Sequence, residues 1–182
     1  RFILQINLFT LVRSQGLKTF FSSSFRSSGA ATRRTSKNMK KVAILGKLPG
    51  KFKAPFYSEE YEIWGCNVHK DMDKIPRYDR WFDIHDSPSR YPFKVVTRDE
   101  LPIIKLIELV GGKFFNNSIS YMIAYAIYLG FDVIALYGVK LNNGEEIRTL
   151  QRQNVRELLF FAMGRGIKIT VEPESELLIE YP

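Results

Sequence analysis

Five short stretches carry side chains that can hold a ligand or move a proton. Gly46–Gly50 is bracketed by glycines and followed by basic residues, so its backbone amides with Lys47 or Lys51 are suited to a phosphate. It matches neither GxGxxG nor a P-loop, because the spacing and the Lys-Ser/Thr pair are missing. Asn67 offers a side-chain amide for a base or ribose. Asn116-Asn117-Ser118 joins amide and hydroxyl groups to a predicted helix start, where unpaired N–H groups favour anions or sugar hydroxyls. Asp83, His85 and Asp86 form a candidate acid–base cluster, although no nucleophile accompanies them. Gly138 ends an apolar run, and Tyr121 and Tyr125, one turn apart, offer a phenol as weak acid toward a leaving phosphate.

Each has a plainer reading. Gly46–Gly50 reads equally as a strand-to-loop turn, Ser118 as an N-cap, Asn67 as a loop-fixing side chain and the tyrosines as core aromatics. Cys66 reads as a small core residue, and His69 as solvated loop. No ligand spacing for a metal is present.

The elements that must position these residues follow from apolar runs and their stops. Lys41–Gly46, Tyr61–Cys66, Asp79–His85, Phe93–Val96, Asp132–Tyr137 and Ile167–Val171 are predicted strands. Three helices are predicted. Arg98–Val110 has Pro102 in its first turn and Gly111-Gly112 as its stop. Ser118–Leu129 runs from Ser118 as N-cap to Gly130 and is apolar on nearly every face; Arg148–Met163 is amphipathic. Glu172–Pro182 is predicted to be an exposed tail. The alternation implies an α/β chain: a Rossmann-like, doubly wound, mostly parallel sheet with helices on both faces. Ligands of such sheets bind outside the carboxyl ends of the strands, which is where Gly46, Asn67, Ser118 and Gly138 fall.

Composition bounds the remainder. The chain has 182 residues and a net charge of +8. Residues 1–38 hold seven of its 27 basic side chains and none of its 19 acids, leaving 20 basic against 19 acidic residues thereafter. The near-neutral remainder gives no case for a nucleic-acid partner. The first stretch, rich in Ser, Arg and Phe, has the composition of a targeting leader, and its apolar Phe2–Val12 is too short to span a bilayer. Met39-Lys40-Lys41 equally reads as a natural start, with 39–182 as a single nucleotide-binding domain and 1–38 outside the fold. One cysteine excludes an internal disulfide.

The ordered set Val42–Gly46, Glu62–Asn67, Asp79–His85, Ser118–Gly130 and Tyr137-Gly138-Val139 resembles small proteins encoded in bacteriophage genomes. More distantly it is similar to sialyltransferase-like and motility-accessory-factor-like glycosyltransferases. That resemblance, over about Met39 to Leu178, implies a nucleotide or nucleotide-sugar ligand, held at Gly46, Asn67 and Ser118. It also implies a host-cytoplasmic location, against a mitochondrial one if the leader is genuine. Two departures favour binding over sugar transfer. Lys47 and Leu48 stand where those enzymes have an asparagine and a second glycine, and no histidine follows His85. A glycosyltransferase-like enzyme, a non-catalytic nucleotide binder and a structural or assembly protein that self-associates therefore remain as three readings.

Overall fold

The computed structural model describes residues 39–67, 70–85, 91–112, 115–141 and 146–178. The leader over 1–38, together with His69, Asp86 and Phe114, lies outside the described residues. Six strands form one sheet: β1 (Lys41–Leu45), β2 (Tyr61–Cys66), β3 (Arg80–Asp83), β4 (Val96–Thr97), β5 (Val133–Tyr137) and β6 (Lys168–Val171). Their order is β4-β3-β2-β1-β5-β6 and every neighbouring pair is parallel. Strand order reverses between β1 and β5, which makes their shared carboxyl end the topological switch point. This is the doubly wound α/β sheet that the alternation of elements implies.

Alternation along each strand sends side chains to two cores. Val42, Ile44, Trp64, Cys66, Phe82, Ile134 and Leu136 face a core shared with all three α-helices. Those helices are α1 (Ile103–Val110), α2 (Ser118–Tyr128) and α3 (Glu146–Gly164). Ala43, Leu45, Ile63 and Trp81 face the opposite side, against Ala54, Phe56, Ile75, Tyr91 and Val95. The helices there are short 3-10 segments, Pro49–Lys53 and Met72–Lys74. The two faces thus differ in kind, because the connections from β1 to β2 and from β2 to β3 are short and broken by Pro49, Gly50, Pro55 and Pro76.

Helix α2 packs against α1, α3, β1 and β3, and everything from Ser118 to Ala124 is buried. That explains why its apolar residues show no single stripe. Its N-cap is Asn117, with Ser118 the first helical residue, so the cap lies one position earlier than the sequence suggests. Helix α1 starts at Ile103 rather than Arg98, with Pro102 as its cap. Proline disfavours helical backbone at Leu101 before it, which confines the preceding residues to a turn. Over 172–178, the described part of the expected tail, the chain is not simply exposed: Pro173–Ser175 forms a 3-10 turn, and Ser175 and Leu177 are buried. Among the described residues no helix is long and apolar enough to cross a membrane.

Candidate functional site at the carboxyl rim

Because all six strands are parallel, Gly46, Asn67, Asp83, Gly138 and Glu172 emerge at one rim of the sheet. The first turn of α2 joins them. The Ser118 hydroxyl donates to Asn67 Oδ1 at 3.1 Å, linking loops 51 residues apart in the chain. Asn67 takes φ 58°, a left-handed conformation that asparagine tolerates better than most residues. Its backbone N–H is bonded to the Phe82 carbonyl at 2.9 Å, so the side chain is held above the end of β2. Among the described residues Asn67 Nδ2 has no hydrogen-bond partner.

Asn117 organises the start of α2. Its Oδ1 accepts from the Ser120 N–H at 3.0 Å, and its Nδ2 donates to Asn116 Oδ1 and to the Ser120 hydroxyl. This cap uses one of the orphan amides of the first turn and leaves those of Ser118 and Ile119 without an intrahelical acceptor. No acidic side chain lies in that turn. The end of the helix dipole therefore keeps its positive character. The exposed Lys47 stands at the same rim, close enough to Cys66 for its charge to act on the thiol.

Several amides of the first loop are spent inside the protein. The Gly46 N–H donates to the Tyr137 carbonyl at 2.7 Å and the Leu48 N–H to the Gly138 carbonyl at 3.1 Å. Lys51 is fully buried and fixed to the Lys47 carbonyl (3.1 Å) and to Asp71 (3.4 Å), so it is not a ligand-facing cation. Asp71 is held below the usual carboxylate range, first by its bond from Lys74 and then by Lys51. The Gly138 N–H donates to Glu172 Oε2 at 2.6 Å. Gly46, expected to help hold a phosphate through its amide, and Gly138, expected at the ligand rim, both spend their amides inside the protein.

The acid–base cluster is likewise engaged elsewhere. Asp83 is 4% exposed and accepts from the His85 backbone N–H (3.0 Å) and the Tyr91 hydroxyl (2.8 Å). Strand β3 ends at Asp83, so the strand alternation that would pair Asp83 with His85 does not extend to His85, which is exposed. Burial and the bond to Asp83 raise the Tyr91 phenol well above its usual range. Burial pushes the Cys66 thiol up to about 12, only partly opposed by Lys47, which keeps it protonated and inert. Tyr121 is buried against Phe115, their ring centres 4.8 Å apart, and Tyr125 bonds to Arg80, which starts β3 at the opposite rim. Among the described residues no group of three or more His, Cys, Asp or Glu side chains is arranged to hold a metal ion.

Glu172 is the rim residue that sequence reading missed. It follows the last strand within a polar stretch, and nothing local distinguishes it from a solvated acid. Only the β5–β6 pairing, with Leu136 opposite Val171, brings it to Gly138. Beside it, a cleft of about 260 Å³ is lined by Leu48, Gly50, Lys53, Gly138, Val139 and Glu172, among others.

No protein-family model and no curated protein matches the chain. Among solved structures it is similar to the sialyltransferase CST-II in complex with a trisaccharide acceptor and CMP. That match has 14% identity and a TM-score of 0.43, over 72% of this chain and 80% of that one. It is also similar to the sialyltransferase CstII from Campylobacter jejuni in complex with the substrate analogue CMP-3FNeuAc. Here the identity is 16% and the TM-score 0.38, over 73% and 81% of the two chains. Values this low carry no functional argument, and the fold assignment rests on the strand order alone.

Proposed function

We propose that this chain binds a nucleotide or nucleotide-sugar along the carboxyl rim of its sheet. The phosphate is met by the free amides at the start of α2 and by Lys47, and the ribose or base by the Asn67 side-chain amide. The observation that carries this reading is the hydrogen bond between Ser118 and Asn67. It ties a left-handed asparagine at a strand end to the acid-free first turn of a helix. A helix start of this kind attracts phosphate through oriented N–H groups and the helix dipole.

The reading is one of capture rather than transfer. Asp83 is committed to a backbone amide and a tyrosine, and Tyr121 is buried, so neither is free for proton transfer. The test is calorimetric titration with nucleoside monophosphates, nucleoside diphosphates and nucleotide-sugars. At least one should bind with a Kd of about 1 mM or tighter. Ser118→Ala and Asn67→Gly should each weaken it about tenfold, the worth of one well-made hydrogen bond. Glycine retains the left-handed backbone at position 67, so loss of binding there reports the side chain rather than misfolding. Absence of binding by every ligand, or binding by both variants as tight as that of wild type, would overturn the proposal.

A further inference from the structure

At a doubly wound switch point the strand-end amides ordinarily face open crevice, yet here a carboxylate stands among them. Glu172 Oε2 accepts the Gly138 N–H at 2.6 Å, and the side chain is only 10% exposed. Its carboxylate lies so close to Gly50 that any Cβ at position 50 would overlap it. Glu172 Oε1 is buried without a hydrogen-bond partner and has the Lys53 ammonium 3.5 Å away. An anion meeting a backbone amide, a glycine and a lysine occupies the kind of position a ligand phosphate would take.

The segment carrying Glu172 is fastened on both sides. Glu174 pairs with Lys53 at 2.8 Å, and Glu176 with Lys140 at 3.5 Å. Arg152 donates to the Glu176 carbonyl, and Leu177 is fully buried in the helical core. Glu172 is thus a fixed part of the crevice rather than a wandering surface acid.

We propose that Glu172 is a specificity-determining residue that fills the anion position of the β1/β5 switch point and so bars a phosphate chain from it. Resting on the rim-binding reading, this restricts the ligand to one whose phosphate lies wholly over α2 and Lys47. A diphosphate or triphosphate chain reaching toward β5 meets a buried like charge instead of a free amide, and is rejected.

The test compares the wild type with Glu172→Gln, Glu172→Ala and Glu174→Gln at one ionic strength. The probes are inorganic phosphate, inorganic pyrophosphate, and the mono- and diphosphate of one nucleoside. Glutamine keeps an acceptor for Gly138 and removes the charge, whereas alanine vacates the position. Either variant, once its melting curve shows a folded chain, should bind pyrophosphate at least about tenfold more tightly than wild type. The diphosphate-to-monophosphate affinity ratio should rise by a similar factor. Glu174 is 67% exposed and does not touch Gly138, so its variant, which removes only the outer partner of Lys53, should gain clearly less than either Glu172 variant. Unchanged pyrophosphate affinity in both Glu172 variants would overturn the inference, as would an equal gain in Glu174→Gln, which would report overall charge. If the variants gain pyrophosphate while wild type binds no nucleotide, the inference stands and the nucleotide reading falls. If wild type binds nucleotides and the variants do not differ from it, the inference falls alone.

Discussion

Cys66 sits where a reactive thiol would be useful, at the end of β2 beneath Asn67, yet its surroundings disarm it. Burial raises its pKa to about 12 from a reference of 9.0. The unfolded chain therefore loses that proton before the folded one does. Stability from this group is complete below pH 9.0 and falls as pH rises toward 12. The raised Tyr91 phenol acts in the same direction. Two outcomes are expected: no alkylation of Cys66 by iodoacetamide in the folded protein near neutral pH, read by mass spectrometry, and a melting temperature that drops above pH 9.0. Rapid labelling without unfolding would contradict the burial. At this scale Asn67 and Ser118 were legible, since an asparagine after an apolar run and a serine opening another announce a strand end and a helix start. Glu172 was not, because its meaning comes from Gly138, which lies 34 residues earlier.

The strands were the most legible elements. Buried parallel strands must be apolar on both faces, and Lys41–Leu45, Tyr61–Cys66 and Val133–Tyr137 read as such runs. Helix starts were less so: Pro102 moved one inward, and Asn117 rather than Ser118 made the other cap. Loop packing was not legible at all, and the glycines show why. Gly130, at φ 73°, has open space where a Cβ would stand, whereas Gly138, at φ 63°, is pressed against the Leu48 carbonyl and the Lys51 amide. Gly130→Ala should cost about 1 kcal/mol, the price of left-handed backbone alone. Gly138→Ala adds a clash with main-chain atoms and should cost about 3 kcal/mol or more in denaturant unfolding. Equal losses would mean that the loop from Gly46 to Lys51 is not seated on Gly138.

Across the whole molecule, one sheet separates two unlike halves. The α-helical face forms the larger core and brings α2 to the rim, while the face built of 3-10 turns seats the first loop and Lys51. The parallel, doubly wound class was readable from the apolar runs and their stops, whereas the strand order β4-β3-β2-β1-β5-β6 is set only by the pairing in the sheet. The closure of the switch point was not, because it depends on how β1, β5 and the segment after β6 converge. In the proposed reading the ligand lies over β1, β2 and α2, while at β5 Glu172 holds the Gly138 amide beside the cleft. The most direct test follows the backbone amide signals of isotope-labelled protein by NMR during addition of the best-binding nucleotide. The account predicts the largest shifts at Lys47, Asn67, Ser118 and Ile119, with Gly138 little moved. Shifts centred on Gly50, Gly138 and Lys140, or none at Asn67 and Ser118, would contradict it.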